Sequence, residues 1–306
     1  MTRGTHAATL RRERGDPAIA YDVTGQGPAV VFVHGITSFR QTWDPVTDLL
    51  AHDFTCVRVD LRGHGESSAA AEYSLPLMVG DVRAVVEELG LGGPAVVGHS
   101  LGATVAGLYA AAHGARAVVC VDQSLRFGDF ASLVQPYADA LRSERTMEAL
   151  VEIEHRLGLG PYPGIDDLER RVRAFPREIV LSLWDQLLTT PPERLTAVAE
   201  AILPRIEAPL LSLHGSPPPP DYEAWLTGLV PHSSVEVWPG SGHMLHLVAR
   251  SGSRPASGRC SRTRIVPAVT GTDTSALRGR RVFITGGGRG IGAALARRLH
   301  ERGARV

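Results

Sequence analysis

One stretch limits what this chain can fold into more than any other: Ala95 to Ala106, which reads AVVGHSLGATVA. A short apolar run, Ala95-Val96-Val97, meets Gly98-His99-Ser100-Leu101-Gly102, and a helix-compatible segment follows. A Gly-x-Ser-x-Gly pattern set between a strand and a helix puts its serine on a tight turn. Such a turn leaves little room for side chains two residues to either side, and Gly98 and Gly102 supply that room. Ser100 then stands clear of a sheet edge. The backbone N–H of Leu101 points from a helix N-terminus toward any anion forming beside it. A plain Gly/Ser loop opening a helix would look the same in isolation, so the rest of the chain has to decide.

The rest of the chain alternates strands with helices. Ala29 to Val33 (AVVFV) is a continuous apolar, β-branched run, as a strand buried on both faces requires. Ile19–Val23, Thr55–Val59, Ala117–Val121, Pro209–His214 and Ser234–Trp238 also read as strands. Leu75 to Gly90 is amphipathic, with Leu77, Val82, Val85, Val86 and Leu89 near one helical face. The helix after Ser100 runs to about His113, and Tyr222 to Leu229 is a further helix. This alternation predicts an α/β fold: a mostly parallel central sheet with helices on both faces. Phe127 to Arg205 differs. It lacks strand runs, and its helical segments are broken by Gly158-Leu159-Gly160-Pro161-Tyr162-Pro163-Gly164 and by Thr190-Pro191-Pro192. It is longer than a single crossover needs and reads as a helical lid insertion over the functional edge of the sheet, residues 127–205.

Composition excludes several classes of partner. Lys+Arg and Asp+Glu balance at 32 each in 306 residues. That balance gives no electrostatic case for nucleic acid or an acidic membrane surface. The three cysteines, Cys56, Cys120 and Cys260, are far apart and odd in number. Cys56 and Cys120 lie in apolar runs and read as small core residues, against a zinc site or a disulfide framework. The N-terminus is basic without an apolar core to it, and no stretch reaches the length of a membrane span. The expectation is a cytoplasmic protein with no membrane partner, acting on a small molecule without a cofactor or metal.

Four motifs, in order and spacing, resemble the α/β-hydrolase family over about residues 10–250: His34-Gly35, Gly63-His64-Gly65-Glu66-Ser67, Gly98-His99-Ser100-Leu101-Gly102, and Gly242-His243. The resemblance implies a serine, acid, histidine triad in that chain order. Ser100 would be the nucleophile and His243 the base, with His246 a weaker candidate outside the matching position. His34 and His99 would brace backbone. The oxyanion donors would be the N–H groups of Leu101 and Ile36. The acid is where the chain departs from the family pattern. The loop after Pro209–His214 carries Ser216, Pro217 and Pro218 where that acid is often found, and its first carboxylate is Asp221. The other position the family uses is the end of the preceding core strand, here Asp122. Asp122 is preferred, because a carboxylate at the carboxyl end of a buried strand is well placed to orient an imidazole; Asp221 remains the alternative. Relatives that open epoxides or remove halogen carry an aspartate at the position of Ser100, so the serine implies acyl transfer.

The tail is of another kind. Residues 251–276 are rich in Arg, Ser and Gly and read as linker. Residues 277–306 resemble the first β-α unit of a short-chain dehydrogenase, with Val282–Thr285 as a strand and Thr285-Gly286-x-x-x-Gly290-x-Gly292 as a glycine turn. That predicts a truncated Rossmann-like unit, a fusion fragment or a disturbed reading frame, without the Tyr-x-x-x-Lys pair of such enzymes. The expected function is a serine hydrolase acting on a small-molecule acyl substrate. The rival expectations are an NAD(P)-dependent dehydrogenase fragment and a non-catalytic ligand-binding shell.

Overall fold

The computed structural model describes residues 6–10, 17–162 and 164–248. The linker and the dehydrogenase-like segment expected at 251–276 and 277–306 lie outside the described residues. The strands are β1 (His6–Leu10), β2 (Ile19–Gly25), β3 (Ala29–Val33), β4 (Thr55–Val59), β5 (Ala95–His99), β6 (Val118–Val121), β7 (Leu210–His214) and β8 (Ser233–Val237). They form an eight-stranded sheet in the order β1-β2-β4-β3-β5-β6-β7-β8. β2 runs antiparallel to both of its neighbours, and every pairing from β4 to β8 is parallel. The apolar runs behave as a doubly covered sheet demands. Val31, Val33, Val57, Val59 and Val96 enter one hydrophobic cluster. Their alternating neighbours Val30, Phe32, Cys56, Ala95 and Val97 enter the other.

Helices close both faces. In chain order they are α1 (Asp44–Leu50), α2 (Leu75–Glu88), α3 (Leu101–His113), α4 (Phe127–Val134), α5 (Ala138–Arg142), α6 (Thr146–Leu157), α7 (Ile165–Ala174), α8 (Arg177–Thr189), α9 (Pro192–Ile202), α10 (Tyr222–Leu229) and α11 (Leu245–Val248). Helices α2, α3 and α10 bury Val82, Val85, Val105, Tyr109, Tyr222 and Leu226 on one face. The other face is covered by Trp43, by Val46 and Leu50 of α1, and by Leu245 of α11. No helix among the described residues is long and apolar enough to cross a membrane.

The stretch between β6 and β7 holds α4 to α9. Val134, Leu141, Leu150, Ile153, Leu168, Val172, Val180 and Trp184 give it a core of its own, which also takes in Ile36 after β3 and Met244 beside His243. The lid therefore rests on the two loops that flank Ser100. Its last helix does different work. Ala199 of α9 and the following Leu203 are buried in the main sheet cluster beside Val105 and Tyr109. Helix α9 is thus the crossover that returns the chain to β7, and α4 to α8 form the cover.

Candidate active site

Ser100 follows β5 and caps α3 with φ 50° and ψ −120°, a conformation outside the ordinary regions for a non-glycine residue. Strain of this kind persists only where the surroundings dictate it. They do so through backbone contact: a Cβ on Gly98 would run into the Gly102 carbonyl, and one on Gly102 into the carbonyls of Val33 and His34. The turn is pressed between β3 and its own helix, and glycine is the residue that fits. Leu101 is the first residue of α3, where helix geometry leaves backbone N–H groups without an intrahelical acceptor. Gly35 lies against the same turn, and a Cβ there would stand 3.2 Å from Ser100 Cβ. The Gly35-Ile36 backbone is thereby brought beside the serine from the other side.

Asp122 follows β6, also at positive φ (49°). Its Oδ1 accepts the Gly215 N–H at 2.6 Å, and its Oδ2 accepts Nδ1–H of His243 at 2.7 Å. His243 sits in the loop after β8, with its side chain 2 % exposed and that of Asp122 10 % exposed. Burial alone would raise the Asp122 carboxyl, but the hydrogen bond and charge of His243 and the Gly215 N–H outweigh it and hold it low. Burial pulls His243 down, while the hydrogen bond and charge of Asp122, and the charge of Glu154, carry it above its ordinary value. An imidazole whose Nδ1–H is fixed on a carboxylate presents Nε2 as a base.

Asp221, the alternative acid, is elsewhere. It caps α10 with its side chain 69 % exposed, and Arg126 grips both its oxygens at 2.6 and 3.1 Å. That pairing holds its carboxyl below the usual range. His246 is buried between His99 and Trp43, with ring centroids 4.2 and 4.7 Å away, and burial pushes it down to about 3. His99 braces the histidine loop: its Nε2 donates to the His243 carbonyl at 2.9 Å, and the two rings lie 4.6 Å apart. His34 accepts the Leu61 N–H on Nε2 and donates from Nδ1 to Gly35.

The Gly63-to-Ser67 motif is a brace as well. Ser67 Oγ donates to the Asp60 carbonyl and accepts the Ala20 N–H, while His64 donates to the Arg62 carbonyl. Asp60 in turn pairs with Arg40, which also reaches Asp22 and Glu66. Sequence reasoning missed Arg40 and the Gly215 N–H. It also missed Glu154 of α6, a lid carboxyl 7 % exposed whose field reaches His243 and Asp122. A signal for Glu154 existed: it stands four residues after Leu150 and next to Ile153, on the stripe that α6 buries.

A sequence profile of the alpha/beta hydrolase family matches residues 30–256. The chain belongs to the alpha/beta hydrolase family. It is similar to 2-(acetamidomethylene)succinate hydrolase of Mesorhizobium japonicum, 33% identical over 159 residues that cover 49% of this chain and 54% of that protein. An uncharacterised protein of Mycobacterium bovis is 39% identical over 88 residues, 28% of this chain and 26% of the other. The chain thus spans about a quarter to a half of the length of these curated relatives. A thermophilic esterase from Thermogutta terrifontis superposes with a TM-score of 0.59 at 22% identity, over 80% of this chain and 93% of that one. That likeness shows the fold.

Proposed function

We propose that this chain is a serine hydrolase that cleaves an ester or other acyl bond of a small molecule through an acyl-enzyme. Ser100 attacks the acyl carbon while His243 Nε2 takes the hydroxyl proton, and Asp122 holds the imidazole in the required tautomer. The N–H groups of Leu101 and Ile36 bind the oxyanion of the tetrahedral intermediate. His243 passes its proton to the leaving group as the bond to the acyl carbon breaks. Water then attacks the Ser100 ester, with His243 again the base, and releases the acid and the free serine.

The observation that carries this reading is the 2.7 Å hydrogen bond from His243 to Asp122, at the sheet edge where Ser100 is held on its strained turn. The nucleophile supports acyl chemistry over displacement at a saturated carbon. A hydroxyl that attacked a saturated carbon would form an ether, which water cannot readily cleave to free the enzyme. The test is a fluorophosphonate probe followed by p-nitrophenyl ester turnover. Labelling at Ser100, and loss of about 10⁶-fold in kcat in a folded Ser100→Ala protein, are the expected results. A folded wild-type protein that takes no label overturns the reading and favours a ligand-binding shell.

A further inference from the structure

Glu154 takes no part in the steps above, yet it is the anomalous side chain beside them. It is 7 % exposed, and its Oε2 is buried without a hydrogen-bond partner among the described residues. Folded proteins seldom leave a buried carboxyl oxygen unpaired, because nothing then replaces the water it gave up. The surroundings are apolar: Leu150, Val151 and Ile153 of the same helix belong to the lid core with Val180, Trp184 and Met244.

Its position is fixed by how α6 ends. The His243 N–H donates to the Gly158 carbonyl at 2.5 Å, just past the last residue of α6. The backbones of Gly160 and Gly242 are so close that a Cβ on either would strike the other loop. Glu154 is one helical turn before Gly158, on the same side of the helix. Burial raises its carboxyl, the charge of His243 lowers it, and that of Asp122 raises it, so the side chain lies within the field of both. Its charge acts on the histidine that, in the proposed reaction, hands a proton to the departing group. That group must lie at His243 to receive the proton, beside the loop on which the end of α6 is docked.

We propose that Glu154 is a specificity residue whose free carboxyl oxygen accepts a hydrogen bond from a hydroxyl or amide N–H on the substrate's leaving group. The enzyme then selects leaving groups that carry a donor close to the scissile bond. This rests on the acyl-transfer reading above.

The test uses two butyrate esters of nearly equal shape, propyl and 2-hydroxyethyl, which differ by a methyl exchanged for a hydroxyl. The readout is the ratio of their kcat/KM values. In the wild-type enzyme the hydroxyethyl ester is favoured by about tenfold or more, because the propyl ester leaves the buried oxygen unpaired. In Glu154→Leu the ratio falls to about one. In Glu154→Gln, whose amide oxygen still accepts, most of the preference returns, which a purely structural role would not produce. Thermal melts of each variant report the fold, and Glu154→Leu should melt no lower than wild type because an unpaired carboxyl has gone. A wild-type enzyme indifferent to the hydroxyl, or a Glu154→Leu enzyme that keeps the preference, overturns the assignment while Ser100 still takes the fluorophosphonate label. Absence of that label in the wild type overturns the parent reading and this one together.

Discussion

Replacing Asp122 with Asn tests the acid directly, because the carboxylate serves two donors at once. Oδ1 accepts Gly215 N–H at 2.6 Å and Oδ2 accepts Nδ1–H of His243 at 2.7 Å. A carboxamide offers one acceptor oxygen and one NH₂ group, so it can serve only one of the two. The Gly215 donor is backbone and cannot change its proton. The imidazole can. The Asn oxygen therefore turns to Gly215, its NH₂ meets Nδ1, and the ring proton moves to Nε2. That is the nitrogen required to take the proton of Ser100. The same exchange in a serine protease triad costs about 10⁴-fold in kcat, equivalent to roughly 5 kcal/mol of barrier. Folding should change by only about 1 kcal/mol, since both positions keep a hydrogen bond. The assay is kcat/KM for p-nitrophenyl butyrate with Asp122→Asn beside Asp221→Asn, each checked by urea unfolding. Asp221 is exposed and paired with Arg126, and its substitution should leave the rate within about twofold. An Asp122→Asn enzyme that keeps more than about a tenth of the wild-type rate would refute the assignment, as would equal damage from Asp221→Asn.

Two further outcomes follow from the packing and the buried histidines. Gly102→Ala should cost about 3 kcal/mol or more in urea unfolding, because its Cβ meets the backbone carbonyls of Val33 and His34, which cannot swing aside; an unchanged midpoint would show that the turn has slack. Acid should also unfold the protein early. Burial holds His34, His64 and His246 at about 4, about 3 and about 3, all below an unfolded value of about 6.5. Below that pH the unfolded chain takes up protons that the folded one refuses, so stability is full above about pH 6.5 and falls toward pH 4. His34 alone accounts for roughly 3 kcal/mol across that window. Unfolding free energy that stays flat from pH 7 to 4.5 would contradict the burial of these rings.

Much of the sheet was legible because its strands are buried on both faces. A run such as Ala29–Val33 then needs no alternation, and the observed β3 has the same limits. Ser100 and His243 were legible through the glycines beside them, which mark backbone too crowded for side chains. The acid was harder. The place of Asp122 at the carboxyl end of a buried strand favoured it over Asp221, but local pattern left Asp221 as an alternative. What separates them is distant in sequence: Arg126 reaches across to Asp221, and the Gly215 N–H reaches Asp122. Glu154 was legible only as a buried position, for a related reason. Position on a helical stripe tells that a residue is buried, whereas its neighbour across the interface is decided by how α6 docks. The strand His6–Leu10 was also unread, since a short N-terminal segment with one small apolar stretch carries little periodic signal.

The contact of Gly158 and Gly160 with Ser241 and Gly242 joins the end of α6 to the loop that carries His243. A swing of that end of α6 would carry the His243 loop with it. Under the proposed acyl transfer, the serine would then have nothing to receive its proton while that corner is ajar. A molecule would have to be enclosed before it could be attacked, and a bystander ester that fails to let the corner shut would leave intact.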